Sequence, residues 1–171
     1  MILHSSSFEI RPIVRDYLPA VLEVYQQCED FLALGPVATA SMDMVLKDLE
    51  ISEHAGGIFC GIFALDGRLM GVVDYVPAPL EGDPCAADLS LLMIAAPCRG
   101  QGLGTAVVEA VEQEIRKDAR VTSIHSGVQV NNPQAIKFWQ RHGYRIINGP
   151  QLMPDQTTVF SLRKDFLQQV S

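Results

Sequence analysis

The chain has 171 residues, of which 48% are hydrophobic and 19% charged, enough apolar material for the core of one domain and too much for a disordered chain. Its longest nearly apolar run, Leu89 to Cys98, is interrupted by Ser90 and falls well short of the roughly 20 residues that a membrane-spanning helix needs. The first residues carry no basic cluster ahead of an apolar stretch, so no secretory signal is expected and a cytoplasmic protein is.

The net charge of −7 is unevenly placed. Residues 1–98 hold four Lys/Arg and 14 Asp/Glu, whereas residues 99–171 hold nine and six. An acidic first half argues against nucleic acid as a partner, because phosphate binding needs a basic surface. The pattern suits a polyanionic ligand on the later half and a cationic one on the earlier half. Cys28, Cys60, Cys85 and Cys98 form no CxxC, and His4, His54, His125 and His142 form no HExxH, so neither a metal site nor a disulfide framework is expected.

In chain order, Phe8 to Ile13 alternates apolar and polar residues and predicts a strand. Asp16 is placed to cap a helix running to about Glu29, with Pro19 in its first turn, and Phe31 to Pro36 reads as an apolar loop. Ser41 caps a second helix to about Glu53, with Val45, Leu46 and Leu49 facing inward. Ile58 to Leu65 and Leu69 to Val76 flank Asp66-Gly67-Arg68 and predict a hairpin, with positive φ expected at both Asp66 and Gly67. Asp88 to Ile94 is a strand, Gly102 to Lys117 a helix and Val121 to Val130 a strand. Asn132 caps a helix over Pro133 to His142 that Gly143 ends. Tyr144 to Ile147 and Thr157 to Leu162 are the last strands, and the tail from Arg163 reads as frayed or weakly helical. The order βααβββαβαββ gives a single α/β domain over residues 1–171, with its core at about 8–162.

The segment Arg99-Gly100-Gln101-Gly102-Leu103-Gly104-Thr105 joins a strand to a helix. Its glycines let the backbone approach a ligand, and the free amides of the following helix turn make an anion site fit for a pyrophosphate, with Arg99 adding charge. Neither the dinucleotide fingerprint GxGxxG nor the GxxxxGK[ST] loop is present. One strand later comes Asn132-Pro-Gln-Ala135-Ile-Lys-Phe138-Trp139-Gln-Arg-His-Gly143-Tyr144.

Together, Arg99-x-x-Gly102-x-Gly104 and Asn132-x-x-Ala135-x-x-Phe138-aromatic-x-x-x-Gly143 resemble the GNAT superfamily of N-acetyltransferases, closely over residues 88–147 and in element order from about 8 to 162. The resemblance implies a mixed, mostly antiparallel sheet of six to seven strands flanked by four helices, an α+β arrangement within the α/β class. It implies an enzyme that uses acetyl-CoA as cosubstrate, with Arg99, Gly100, Gln101, Gly102, Leu103, Gly104 and Thr105 at the pyrophosphate. Met93 and Ile94 would bond the pantetheine arm and thioester through main-chain groups, with Asn132 and Ala135 beside the thiol end. By the period-two rule Asp88, Ser90, Leu92 and Ile94 share a face, and Asp88 stands where several family members place the general base. Phe31 and Tyr75 would line the acceptor site. Trp139 replaces the Tyr that often serves as general acid, and an indole N–H cannot take that role.

The implied reaction is acetyl transfer to a primary amine of a small molecule or peptide, the acidic first half favouring a cationic one. A homodimer edge is available in the late strands. Two further readings stay open: a non-catalytic acetyl-CoA sensor on the same fold, and a nucleotide-binding α/β protein that uses the glycine turn for NAD or ATP.

Overall fold

A computed structural model describes residues 3–4 and 6–166. The elements are β1 (Leu3–His4), β2 (Phe8–Pro12), α1 (Leu18–Gln26), α2 (Glu29–Leu32), α3 (Met42–His54), β3 (Ile58–Ala64), β4 (Leu69–Val76), β5 (Ala86–Ile94), α4 (Leu103–Ile115), β6 (Ser123–Gln129), α5 (Pro133–Arg141), β7 (Arg145–Leu152) and β8 (Thr158–Asp165). The strands form one sheet in the order β1-β2-β3-β4-β5-β6-β8-β7, antiparallel throughout except for the parallel β5–β6 pair.

Both faces of the sheet are covered, as amphipathic helices alternating with half-buried strands require. On one face Val21, Val24 and Tyr25 of α1 and Val45 of α3 pack on Phe59, Val72 and Met93. On the other, Val107, Val108, Val111 and Ile115 of α4 and Trp139 of α5 pack on Ile62, Val73, Tyr75, Leu89 and Ile124. β7 is the outer strand and is exposed along its length, with Ile146, Ile147 and Leu152 among its solvent-facing apolar residues.

Several local expectations are met. Ser41 Oγ accepts from the Met44 amide at 3.2 Å, and Asn132 Oδ1 accepts from the Ala135 amide at 3.0 Å. Gly143 adopts the left-handed conformation that ends α5.

Others are corrected. Asp16 sits inside a 3-10 turn, Arg15–Tyr17, and caps nothing, so α1 begins at Leu18. The helix stops at Gln26, and the apolar segment read as a loop supplies the short α2. Leu46 is 46% exposed, because its neighbour Val45 takes the inward position on α3. At the hairpin only Gly67 has positive φ. The Gly67 amide bonds the Ala64 carbonyl and the Ala64 amide bonds the Arg68 carbonyl, the pattern of a longer turn closed by a glycine bulge. β8 runs to Asp165 where a frayed tail was expected: Arg163 and Asp165 pair with His125 and Ser123.

The most consequential correction concerns β5. Asp74 pairs with Leu91 and Tyr75 with Leu89, so Ser90 is an extra residue bulged out of the β4–β5 ladder. A bulge reverses the alternation. Ala87 and Leu89 face the α4 side before it; Leu92 and Ile94 face that side after it, while Leu91 and Met93 face α1 and α3. Asp88 and Ile94 therefore lie on opposite faces, not on one.

Candidate active site

The bulge also opens the sheet. β6 follows β5 only as far as Leu89↔Ser126, where Ser126 Oγ donates to the Leu89 carbonyl at 2.8 Å. Beyond that point the two strands diverge, and a cleft of about 700 Å³ occupies the gap. The Ala95 amide bonds the Met70 carbonyl of β4. Antiparallel alternation then turns the backbone of Met93 toward Val72 and that of Leu92 and Ile94 away from β4, into the gap. Leu92, which no motif singles out, thus has its main-chain groups facing the gap, where those of Met93 were expected. The Ile94 carbonyl already accepts from Arg99 Nε at 2.8 Å and from Cys28 Sγ at 3.4 Å, which leaves its amide as the free group.

The glycine turn forms one wall. Gly100 and Gly102 have φ of +74° and +78°, and a Cβ on either would meet nothing within 4 Å, so the turn offers an open cradle that side chains would fill. The amides of Leu103, Gly104 and Thr105 open α4 and have no intrahelical partner. Thr105 Oγ1 lies 3.2 Å from His142 Nε2, whose Nδ1 is 2.8 Å from the Phe138 carbonyl. The Phe138 carbonyl can only accept, so His142 Nδ1 carries a proton, and Nε2 is left to meet the threonine hydroxyl. A Cβ on Gly104 would come within 3.5 Å of the Phe138 ring, so that glycine lets α5 close on α4. The cradle and its free amides fit a pyrophosphate.

Eleven predicted residues line this cleft: Met93, Ile94, Arg99, Gly100, Gly102, Leu103, Gly104, Thr105, Asn132, Ala135 and Phe31. Gln101 points the other way, into a hollow of about 310 Å³ behind the turn, with Arg68 and Cys98. Tyr75 is 1% exposed in the core beneath α4 and cannot touch an acceptor, because it alternates with Asp74 onto the opposite face. Arg99 is not a free cation. Its Nη1 and Nη2 bind Asp30 Oδ2 and Oδ1 of α2 at 2.6 and 3.1 Å, and that pairing holds the Asp30 carboxyl below the usual range. Arg141, at the end of α5, lines the cleft and has no ion-pair partner among the described residues. It was legible only as one more charge in the basic half.

Trp139 forms part of the cleft wall and stacks edge-on against Tyr144, ring centroids 4.9 Å apart. Tyr144 donates to Glu112 Oε1 at 3.0 Å, and Lys164 holds Glu112 Oε2 at 2.6 Å. That buried network packs α4 against β8.

Asp88 lies outside the cleft lining, on the α1/α3 side of the sheet just before the bulge. Ser90 Oγ donates to its Oδ2 at 2.6 Å, and burial pushes its carboxyl up, partly offset by Ser90 and His125. Asp74, 6% exposed, accepts from Ser52 Oγ at 2.6 Å and is likewise pushed up by burial. Asp48 of α3 accepts from Tyr25 at 2.7 Å and is raised the same way. Asp48 feels Asp155 of the β7–β8 turn, and Asp74 feels both Asp48 and Asp88. This side of the sheet thus gathers carboxylates from β4, β5, α3 and the late turn.

Among the described residues no group of His, Cys, Asp and Glu could hold a metal ion, the four cysteines are free, and no helix is long and apolar enough to cross a membrane.

A family model described as the GNAT acetyltransferase family matches residues 18–144. No curated protein matches the sequence. Among solved structures, an acetyltransferase from Thermus thermophilus is similar with a TM-score of 0.76 at 22% identity, covering 97% of this chain and 100% of that one. The acetyltransferase of Salmonella typhimurium that modifies the N-terminal serine of ribosomal protein L7/L12 has a TM-score of 0.77 at 15% identity, over 97% and 99% of the two chains. A spermidine N-acetyltransferase from Vibrio cholerae, solved with CoA and spermine, has a TM-score of 0.69 at 15% identity, over 93% and 95%. At these identities the structures speak for the fold; the family match extends over most of the domain, and the chain belongs to the GNAT family of acetyltransferases, which use acetyl-CoA.

Proposed function

We propose that the protein moves an acetyl group from acetyl-CoA to the primary amine of a cationic small molecule or peptide, by direct attack of the amine on the thioester with Asp88 as general base. The glycine turn, the α4 amides and Arg141 would hold the pyrophosphate end, and Asn132 and Ala135 the thiol end.

A primary amine with a pKa near ~10 is protonated at neutral pH and must lose a proton before it attacks. Asp88 stands one residue before the Leu89↔Ser126 rung at which β5 and β6 part. When the amine nitrogen bonds the acyl carbon, the C–S bond breaks. Two protons leave the nitrogen; one ends on the departing sulfur and the other goes to solvent. The amides of Leu92 and Ile94 are the donors available for charge developing on the acyl oxygen. No residue of the cleft wall replaces the family's acidic Tyr, but a thiol with a pKa near ~8.5 is a fair leaving group without one.

The observation that carries the cationic acceptor is the gathering of Asp48, Asp74 and Asp88 on the side of the sheet away from the pyrophosphate turn. Carboxylates gathered on one side of the sheet favour a cationic amine over an acidic one. Structural neighbours include enzymes named for a protein N-terminus and for spermidine. Thiol release from acetyl-CoA over a panel of polyamines, basic peptides and neutral amines, with product masses, tests the reading. Turnover with cationic amines is expected. Binding of acetyl-CoA with no turnover on any amine would leave the sensor reading instead, which Trp139 in the acid's place favours.

A further inference from the structure

Past the Leu89↔Ser126 rung β5 and β6 run apart, and the α2 segment crosses the gap between their far ends. On one bank Ile94 ends β5. Its carbonyl accepts from Cys28 Sγ at 3.4 Å and from Arg99 Nε at 2.8 Å, and Arg99 grips Asp30 with both Nη atoms. On the other bank Gln129 ends β6. There Asn131 Nδ2 donates to the Leu34 carbonyl at 3.0 Å, and a Cβ on Gly35 would lie 3.4 Å from Thr157 Cγ2 and 4.0 Å from Gln129 Nε2. Residues 30–35 thus reach from one strand end to the other. Phe31 and Leu34 line the cleft, and Phe31 and Leu32 pack with α1 and α3, on the face of the sheet away from α5.

The two attachments are unequal. The Asp30 end is held by a two-pronged charged pair and by the bonds on the Ile94 carbonyl. The Leu34 end is held to the opposite bank, among the described residues, by one neutral hydrogen bond. Bonds between charged groups are roughly twice as strong as neutral ones, so the segment has a firm end and a weak one and opens at the weak one.

We propose that residues 30–35 form a gate across the α1/α3 side of the cleft, hinged at the Arg99–Asp30 pair and latched by Asn131, that keeps water from the thioester on the side from which the acceptor comes. This rests on the acetyl-transfer reading, in which the glycine turn and α5 present acetyl-CoA from the opposite side. Closing loops serve this purpose in enzymes with water-sensitive intermediates or substrates. With the gate open, a water oxygen can bond the acyl carbon as the C–S bond breaks. The products are acetate and the CoA thiol, with one proton released to solvent. Asn131 is then a positioning residue that acts through the Leu34 carbonyl.

Two variants push the gate in opposite directions. Asn131→Ala removes the latch. Gly35→Ala favours closure, because the added methyl meets Thr157 at an ordinary contact distance and restricts the open chain, and Gly35 does not have positive φ. The Ala33 and Leu34 amides, which bond the Glu29 and Phe31 carbonyls, report the state of the segment. Hydrogen exchange in the free protein should quicken at these amides by roughly 3- to 10-fold in Asn131→Ala, the worth of one neutral hydrogen bond, and slow by roughly 2- to 5-fold in Gly35→Ala, with α1 unchanged in both. Equal exchange in wild type and Asn131→Ala overturns the latch, whatever the activity. The second readout is thiol release from acetyl-CoA with no amine present. It should rise several-fold in Asn131→Ala and not in Gly35→Ala, a gain that mere loss of packing would not produce. Faster exchange without that gain would make the segment a brace and overturn the gate. Calorimetric titration of each protein with acetyl-CoA separates the two readings: a wild type that does not bind it fails the acetyl-transfer reading, and the gate falls with it.

Discussion

Arg99 of the glycine turn and Asp30 of α2, 69 positions apart, form a two-pronged ion pair that ties α2 to the turn. The arginine's remaining reach goes to the Ile94 carbonyl at 2.8 Å. The guanidinium that the sequence offers to a phosphate is thus committed to the protein.

Removing its partner should release it. Asp30→Asn is expected to tighten acetyl-CoA binding by a few-fold at low salt, because the freed charge can turn toward the pyrophosphate, with the gain shrinking as salt rises. Stability should fall by less than about 1 kcal/mol, since both side chains are well exposed. Calorimetric titration at two ionic strengths, with thermal unfolding alongside, checks both parts. Weaker binding in the variant would mean that the pair holds the turn in shape rather than withholding a charge.

Arg141 lines the cleft and has no ion-pair partner among the described residues. Arg141→Ala should weaken acetyl-CoA binding by roughly 10- to 100-fold, the worth of one charge-assisted hydrogen bond to phosphate, and reduce the salt dependence of binding. Gly102→Glu should abolish binding, because its side chain would enter the open cradle and bring a negative charge to the anion site. It also strains a left-handed position by about 1–2 kcal/mol, so circular dichroism must show that the fold is kept. The same titration reads both variants.

Much of this was legible before any coordinates. Capping residues such as Ser41 and Asn132 act within three positions of their partners, and the glycine turn is a local conformational demand, so both can be read from neighbouring residues. What escaped depends on distant pairing. The Ser90 bulge is set by how β4 registers against β5, and nothing in Asp88-Leu-Ser-Leu-Leu distinguishes it from regular alternation. Tyr75 went wrong one strand earlier for a related reason: in a strand covered on both faces every residue is apolar or buried, so the pattern does not say which face a side chain takes. The commitment of Arg99 to Asp30 is likewise invisible at such a separation.

The buried carboxylates also set a pH dependence. Asp48, Asp74 and Asp88 are raised by burial, so the folded state binds their protons more tightly than the unfolded chain does. Their contribution is stabilising at low pH and is lost as pH rises from about 4 through their folded values. Asp30, Asp118 and Asp165 are lowered, and their contribution is lost only as pH falls below about 4. Asp74→Asn keeps an acceptor for Ser52 and removes one buried charge. Its unfolding midpoint relative to wild type should rise as pH goes from about 4 to 7. A pH-independent difference would show that the folded protein holds the Asp74 proton no more tightly than the unfolded chain does.

Asp88, as the proposed base, takes the amine proton on a site whose acetyl-CoA half is built separately. The most direct measurement compares Asp88→Asn with wild type in two respects, acetyl-CoA affinity by calorimetry and acetyl transfer to a cationic amine at pH 7. With Asp88 as base, affinity should stay within about twofold and turnover fall by roughly 10²-fold or more, recovering in part at high pH where the amine deprotonates unaided. Equal turnover in the two proteins would contradict it.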